Sequence, residues 1–230
     1  MIITEIFKSI QGETSYVGIP FVFIRTTGCN LRCHWCDTKY AFDEGTEMTL
    51  PEILRQVEGY QTNHVLVTGG EPLLQEEVYP LFQLLMERGL TTLVETSGSI
   101  GVERVAPRVV KILDIKCPAS GMAHHMDWKN LDHLTPRDEI KFVIQNREDY
   151  LWARNIFQSY PQMKGRVILF APVYGMMEPA LIVIVGVVVG FAVTGNLSHR
   201  SSFFRDHRGV PTEKMRLQGD TQRFLRLRLG

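Results

Sequence analysis

Short apolar runs rich in β-branched residues recur along the first three quarters of the chain, each bounded by turn residues. Runs of this kind are typical of strands that are buried on both faces of a parallel sheet. The pattern predicts strands over residues 20–28, 64–70, 91–98, 109–118, 138–144 and 165–172.

Three segments between these runs have the spacing and end signals of helices. Thr49 and Glu52 have capping-box spacing, which predicts a helix over about residues 50–60. Apolar residues from Val78 recur at helical spacing until Gly89, which is placed to end a second helix. Asn146 is placed to cap a third helix that runs through residue 157.

Strands that alternate with helices predict right-handed crossovers and an α/β fold with a parallel sheet. Six strands that curl in one sense would form a partial (β/α)6 barrel, and a flat doubly wound sheet is the alternative. In either fold, ligands bind at the C-terminal ends of the strands. The chain places its chemically informative residues at those ends: the cysteine-rich stretch after residue 28, Thr68 to Glu71, Glu95 to Gly98, and Asp114 to Lys116.

Three of the four cysteines, Cys29, Cys33 and Cys36, have C-x3-C-x2-C spacing directly after a predicted strand. Three thiolates on one loop suit one face of a cubane iron–sulfur cluster, whose fourth iron stays open to another ligand. Structural zinc is the alternative, with His34 or another histidine as the fourth ligand. Cys117 ends an apolar run and is predicted to be a buried core thiol.

The cysteine spacing, with Trp35 before the last cysteine, resembles the radical S-adenosylmethionine (SAM) superfamily. The resemblance implies that SAM chelates the open iron of a 4Fe-4S cluster. One electron from the reduced cluster would then cleave the sulfonium and release a 5'-deoxyadenosyl radical.

A SAM pocket is predicted at the neighbouring strand ends. Gly69 and Gly70 would let a ligand approach the backbone, and Glu71 would accept from an amino group. Glu95 and Ser97 suit the ribose hydroxyls, although a capping or loop role is the alternative. The remaining expected SAM contacts are Trp35, Asp37, Asp114 and Lys116; for the last two, an ordinary ion pair is the alternative.

The stretch EIFKSIQGETSYVGIPFVFIRTTGCNLRCHWCDT resembles the 7-carboxy-7-deazaguanine synthase family over residues 1 to about 178. The motifs that carry the resemblance are S-x-Q-G-E, G-x-P-x-x-F-x-R and Cys36-Asp37-Thr38. It implies a lyase that contracts 6-carboxy-5,6,7,8-tetrahydropterin to 7-carboxy-7-deazaguanine and releases ammonia, in queuosine and 7-deazapurine biosynthesis.

The same resemblance implies substrate contacts and a magnesium site. Thr38 would bind a Mg2+ that bridges to the substrate. It also implies a homodimer and a flavodoxin or ferredoxin as reductant. The residues expected to bind the substrate are Ile10, Gln11, Gly12, Glu13, Arg25 and Thr68.

Composition is consistent with a cytoplasmic enzyme of small molecules. Lys plus Arg equals Asp plus Glu at 25 each, which disfavours a protein that binds nucleic acid through strong net positive charge. Few cysteines and no signal-peptide pattern predict a reducing compartment.

The resemblance ends after Met177, so residues 1–178 are predicted to form the radical SAM core and residues 179–230 an atypical tail. Residues 181–230 carry eight basic against three acidic residues and lack the family's Q-x-H-K motif. The apolar run from Ala180 to Val193 is shorter than a membrane helix requires. The ending RFLRLRL alternates like an edge strand. A reading-frame change in the source gene is our hypothesis for this break.

Three other functions fit part of the pattern. A radical SAM activase shares the cysteine spacing but acts on a glycine of a protein partner. An iron–sulfur electron carrier needs no SAM pocket and normally uses four cysteines. A zinc-stabilised binding module would contain zinc without iron.

Overall fold

A mixed sheet of nine strands forms the frame of residues 1–176 and 225–227, which are the residues that the computed structural model describes. The spatial order of the strands is β3-β1-β2-β4-β5-β6-β7-β8-β9. Their bounds are β1 Ile2–Ile10, β2 Pro20–Thr26, β3 Thr46–Glu47, β4 His64–Gly69, β5 Thr91–Thr96, β6 Val110–Lys116, β7 Glu139–Ile144, β8 Val167–Pro172 and β9 Leu225–Leu227.

Six of these strands, β2 and β4 to β8, are parallel and lie side by side in chain order. A doubly wound sheet would reverse its strand order at a switch point, so this alternative is excluded. Within the described residues the edge strands β3 and β9 do not pair with each other, so the barrel stays open. The predicted partial (β/α)6 barrel is confirmed.

The three predicted helices are present as α1 (Leu50–Gly59), α2 (Val78–Glu87) and α3 (Arg147–Ser159). The Glu52 carboxylate accepts from the Thr49 backbone N–H at 2.8 Å, and Asn146 Oδ1 accepts from the Asp149 N–H at 2.9 Å. Both predicted N-terminal signals therefore operate. The described chain also has short 3-10 helices at Lys39–Phe42, Pro72–Leu74, Pro118–Ser120, Ala123–His125, Trp128–His133 and Pro161–Met163.

The helices pack on the outer face of the sheet, where they form the main apolar core. Cys117 is fully buried in this core, as predicted, and burial raises the pKa of its thiol well above the ordinary value. A buried ion pair also lies on this side: Lys111 Nζ is 3.0 Å from Asp138 Oδ2.

The inner face of the half barrel has an apolar lower layer that contains no helical residues: Phe21, Leu66, Leu93, Val110 and Ile112. Residues 11–19, which we call the plug loop, close the barrel below this layer. Tyr16 packs edge-on against Phe21 at 5.7 Å, and the Ser15 N–H donates to the Glu139 carboxylate at 3.0 Å. The inner space is therefore closed at the N-terminal ends of the strands.

β9 comes from the basic tail and pairs antiparallel with β8, with Leu225 opposite Phe170 and Leu227 opposite Ile168. Leu225–Leu227, the described part of the alternating RFLRLRL sequence, thus forms an edge strand, which its pattern favoured. The apolar run 180–193 and the rest of the proposed tail lie outside the described residues, and the predicted boundary at residue 178 stays a prediction. None of the helices in the described ranges has the length and apolarity that a bilayer crossing requires.

Candidate active site

The loop that carries the three cysteines, residues 27–42, lies across the C-terminal ends of the parallel strands. The Gly28 carbonyl accepts from the Glu71 N–H at 2.8 Å, after β4. The Asn30 side chain donates to Ser99 at 3.0 Å, beyond β5. The His34 N–H donates to the Ser120 carbonyl at 3.1 Å, beyond β6. We call residues 27–42 the cysteine loop; it is the roof of the half barrel.

The cysteine thiols are partly buried and free of disulfides. Burial raises the pKa of the Cys29 and Cys33 thiols, and the charge of Cys36 also acts to raise both. The Leu31 N–H points at Cys29 Sγ at 3.4 Å, and Thr38 Oγ1 lies 3.7 Å from Cys36 Sγ.

This donor set fits an iron–sulfur cluster. Each thiolate of a cubane binds a different iron, so its three sulfurs need not converge on one point. In residues 1–176 and 225–227, no group of three or more His, Cys, Asp or Glu side chains is arranged around a single metal position.

Trp35 places its indole against the tops of β7 and β8. It packs on a small apolar cluster of Val143, Ala171 and Val173. The Lys116 ammonium lies 5.8 Å from the indole centroid, and the indole N–H is buried without a partner in the structure. Asp37, two residues on, is exposed.

The two glycines at the end of β4, Gly69 and Gly70, lie tightly against neighbouring backbone. A Cβ on Gly70 would lie 2.1 Å from the Gly28 carbonyl oxygen, and one on Gly69 would lie 2.3 Å from the Thr26 carbonyl oxygen. Gly69 also has a φ of 146°, which L side chains rarely adopt. Gly69 therefore admits the end of β2, and Gly70 admits the backbone of the cysteine loop. The approach of a ligand to this turn stays a prediction.

Glu71 is fully buried, and its carboxylate already accepts several hydrogen bonds from the protein. Oε1 accepts from Thr96 Oγ1 at 2.8 Å and from the Leu73 N–H at 3.2 Å. Oε2 accepts from the Ser97 N–H at 2.8 Å and the Ser97 hydroxyl at 2.6 Å. A ligand amino group would have to displace one of these donors, since a carboxylate offers about four acceptor positions.

A cluster of charged side chains occupies the inner space between the cysteine loop and the plug loop. The Lys141 ammonium lies 2.7 Å from Glu13 Oε2, 2.6 Å from Glu95 Oε1 and 3.5 Å from Asp114 Oδ2. Lys116 donates to Asp114 Oδ2 at 2.9 Å. We call these five residues the charged cluster; they come from the plug loop, β5, β6 and β7.

The charged cluster shifts the titration of its own members. Burial, reinforced by the charges of Glu95 and Asp114, raises the pKa of Glu13 to about 7 against the pull of Lys141. Burial alone would raise the pKa of Asp114, but Lys116 and Lys141 outweigh it and lower that pKa. The pKa of each lysine is raised because the carboxylates outweigh the effect of burial.

The other residues predicted to bind the substrate lie on either side of this cluster. Thr68 donates to Glu95 Oε2 at 3.3 Å, so it belongs to the same network. Arg25 donates to Glu5 Oε1 at 2.7 Å, and Tyr40 donates to the same oxygen at 3.0 Å. Arg25 is therefore already paired with a carboxylate inside the protein.

Gln11 is 2% exposed and its Nε2 has no hydrogen-bond partner in the structure. Its Oε1 accepts from the Glu13 N–H at 3.1 Å, which holds the side chain inside the plug loop. Asp114 Oδ1 is a second buried atom without a partner. Such atoms are costly in an apolar interior and mark positions that a ligand can satisfy. By contrast, the Ile10 side chain is 57% exposed, and Gly12 offers only its backbone.

Sequence reasoning missed Lys141 and Glu5. The available signal for Lys141 was a lysine between the apolar residues of a predicted strand, in the sequence IKFVI. A charge at such a position must have buried partners, which could have pointed to the carboxylates at the neighbouring strand ends. Glu5 lies in β1, a strand that the apolar pattern did not predict.

Comparison with known proteins identifies the family. The model of the radical SAM superfamily matches residues 23–115. A 7-carboxy-7-deazaguanine synthase of Koribacter versatilis is 47% identical over 177 residues, covering 76% of this chain and 78% of that protein. One of Chlorobaculum tepidum is 43% identical over 183 residues, covering 78% and 83%.

A solved structure is also similar. The crystal structure of QueE from Escherichia coli superposes with a TM-score of 0.70 at 25% identity, covering 83% of this chain and 91% of that one. Sequence and structure agree on one family. This chain belongs to the 7-carboxy-7-deazaguanine synthase family of radical SAM proteins.

Proposed function

We propose that this chain is a carbon–nitrogen lyase that converts 6-carboxy-5,6,7,8-tetrahydropterin to 7-carboxy-7-deazaguanine with release of ammonia. The product would enter queuosine and 7-deazapurine biosynthesis. The observation that carries the proposal is the enclosed charged cluster, which lies between a three-cysteine roof and a plug loop with an unsatisfied buried amide.

The cysteine loop would hold the 4Fe-4S cluster through Cys29, Cys33 and Cys36. When bound, the cluster and SAM supply the hydrogen-atom abstraction that this ring contraction requires. The ends of β4, β5 and β6 would hold SAM, with Glu95 and Ser97 at the ribose and Lys116 at the carboxylate. Asp114 Oδ1, which lacks a partner, is an acceptor for a SAM donor.

The contacts around Gly69, Gly70 and Glu71 support an indirect contribution to the SAM site. Because Glu71 N–H donates to Gly28 and Glu71 accepts from Ser97, this turn ties the cysteine loop to the end of β5. Trp35 and Asp37 complete the proposed SAM-binding set from the cysteine loop itself.

The substrate would bind between the charged cluster and the plug loop. The Gln11 amide both donates and accepts, which suits the edge of a pterin, and backbone groups of Ile10 and Gly12 adjoin it. Arg25 offers a planar fork to the substrate carboxylate in exchange for Glu5. Glu13 would accept from the substrate amino groups, and Thr68 would contact the ring.

The protein's main contribution would be to position the substrate and to exclude water from the site, rather than to transfer protons. The apolar layer of Phe21, Leu66 and Leu93 and the plug loop close the lower end of the inner space. Excluding water protects a reactive intermediate, and a fixed substrate pose sets which hydrogen atom is removed.

Further parts of the proposal concern the metal ion and the partners. Thr38 would supply a protein ligand to a Mg2+. Its hydroxyl does not cap the 3-10 helix that follows and lies 3.7 Å from Cys36 Sγ. A flavodoxin or ferredoxin would supply the electron, and the chain would act as a homodimer in the cytoplasm.

We also propose that residues 1–178 form the catalytic core and that residues 179–230 are an atypical tail. The test compares turnover by this chain with turnover by a chimera that carries a family-like tail with Q-x-H-K. Much higher turnover by the chimera is expected, and equal turnover would contradict the proposed effect of the tail. Sequencing the source gene tests the hypothesis of a reading-frame change. The hypothesis is rejected if none of the alternative reading frames encodes Q-x-H-K.

The test of function is anaerobic reconstitution with iron and sulfide, followed by incubation with SAM, a reductant, Mg2+ and the carboxypterin. Formation of 7-carboxy-7-deazaguanine is the expected result. Matched Cys29→Ala protein is the control, because it removes one cluster ligand; Cys117→Ala, which lies in the core, is expected to keep the cluster. No product from protein that carries an intact cluster would overturn the proposal.

The same samples separate the other functions. An electron carrier would form no 5'-deoxyadenosine, a zinc module would contain zinc without iron, and an activase would modify a protein rather than the pterin.

A further inference from the structure

Lys141 is a buried cation that three separate elements share. Its side chain is 6% exposed, and its ammonium lies within 2.7 Å of Glu13 and 2.6 Å of Glu95. Asp114 is a third carboxylate, 3.5 Å away. These partners come from the plug loop, β5 and β6, while Lys141 lies on β7.

The partners of Lys141 divide between the two proposed ligand sites. Glu13 lies in the plug loop on the substrate side, whereas Glu95 and Asp114 end strands on the SAM side. A single ammonium group therefore contacts carboxylates of both sites, and each carboxylate is oriented by it.

Without a shared cation, these carboxylates would repel one another in a poorly solvated space. Lys116 partly compensates Asp114, at 2.9 Å. Glu139, two residues before Lys141 on the same face of β7, accepts from Ser15 in the plug loop. The neighbour on β8, Leu169, is apolar. Lys141 is thus the cation that Glu13 and Glu95 share.

The opposite face of the same strands provides an internal comparison. Lys111 on β6 is also buried and pairs with Asp138 at 3.0 Å, on the side of the sheet that the helices cover. It faces the main core rather than the inner space of the half barrel. Lys111 therefore reports what loss of a buried lysine does to folding alone.

We propose that Lys141 is a positioning residue that orients the carboxylates on both the SAM side and the substrate side. This inference rests on the proposed function for the identity of the two ligands. Lys141 itself contacts neither of the two proposed ligands and acts through the carboxylates.

The test compares Lys141→Met with Lys111→Met in anaerobically reconstituted protein. SAM affinity is measured by calorimetry from pH 6.5 to 9. At pH 7 Lys141→Met is expected to bind SAM at least about tenfold more weakly, because unpaired buried carboxylates take up protons and lose their orientation. Part of the affinity should return toward pH 9, where the carboxylates ionise again.

A residue that acted only through folding would behave differently. Lys111→Met is expected to lower the unfolding midpoint and to leave SAM affinity within about twofold at every pH. Unchanged SAM affinity in folded Lys141→Met, or an equal loss across the whole pH range, would overturn the proposal.

A second variant covers the case in which Lys141→Met does not fold. The double variant Lys141→Met with Glu13→Gln removes one of the carboxylates that lose their counter-ion. It is expected to fold and to bind SAM more tightly at pH 7 than the single variant does, or to bind where the single variant cannot be purified. A double variant that fails to fold or to bind SAM would also reject the role of Lys141.

SAM binding does not require the pterin, so the two proposals can fail separately. If wild-type protein makes no deazaguanine but its SAM affinity depends on Lys141 as described, the proposed reaction is wrong and the positioning role on the SAM side remains. If the product forms and Lys141→Met has normal SAM affinity at every pH, the reaction stands and this inference is rejected.

Discussion

The Ser97 hydroxyl donates a 2.6 Å hydrogen bond to the carboxylate of Glu71, and the Ser97 N–H donates a second one at 2.8 Å. Glu71 follows β4 and Ser97 follows β5, so this pair joins the ends of two adjacent parallel strands. Because the Glu71 N–H also donates to Gly28, the same residue fixes the start of the cysteine loop. A residue expected to contact a ligand is thus also a structural link beneath the roof.

Glu71→Gln is expected to destabilise the protein by about 1–3 kcal/mol. The amide would turn a donor toward donors of Ser97 or Thr96 and leave buried groups unsatisfied. Urea unfolding of the apo-protein measures the loss.

The matched control for Glu71→Gln is Glu76→Gln. Glu76 lies in the same segment and pairs with Arg104 at 2.7 Å, but its side chain is 73% exposed. Its replacement is expected to leave the unfolding midpoint unchanged, because exposed ion pairs contribute little. Equal effects of the two substitutions would contradict the structural role of Glu71.

Gly70→Ala is expected to prevent the cysteine loop from docking, since the new Cβ would lie 2.1 Å from the Gly28 carbonyl oxygen. Iron and sulfide content after reconstitution should fall several-fold. Gly59→Ala is the control, because a Cβ at Gly59 meets nothing within 4 Å. A normal cluster content in Gly70→Ala would show that the loop tolerates a shifted position.

The raised pKa of Glu13 predicts a specific dependence of stability on pH. Folded Glu13 keeps its proton up to about pH 7, whereas its ordinary pKa is 4.5. The stabilisation from this group is therefore present below about pH 4.5 and is lost as the pH rises toward 7. The free energy of unfolding of apo wild-type protein should fall more steeply between pH 5 and 7 than that of Glu13→Gln.

The exposed Glu103 provides the control for that comparison, since Glu103→Gln should retain the wild-type slope. If Glu13→Gln and wild-type protein show parallel curves, Glu13 ionises in the folded protein as it does in water.

Arg25→Lys is expected to raise the KM for the carboxypterin by about tenfold or more, because a lysine cannot form the two-pronged contact of a guanidinium. SAM affinity should change by less than about twofold. Glu5→Gln should lower the KM, since it removes the carboxylate that competes for Arg25 at 2.7 Å. A KM that is unaffected by either change would place the substrate carboxylate elsewhere.

Local patterns predicted most of the sheet and all three helices of the described residues. Apolar runs marked the six parallel strands, Thr49 and Glu52 marked the start of α1, and Asn146 marked the start of α3. The apolar pattern did not predict β1, because the residues of this strand are mostly half-buried or exposed and form no continuous apolar run. The spatial order of the parallel strands could be read only from the structure, since alternating strands and helices permit both an open barrel and a doubly wound sheet.

The sequence by itself determined the cysteine spacing, the positions of the polar residues at strand ends and the family, because each depends on residues close together in the chain. Only the tertiary structure decided which of these residues meet. It brought Lys141 to Glu13, 128 residues away, and filled the space beside Gly70 with the cysteine loop. Burial makes such contacts decisive, because a charge or a carbonyl removed from water must find its partner within the fold.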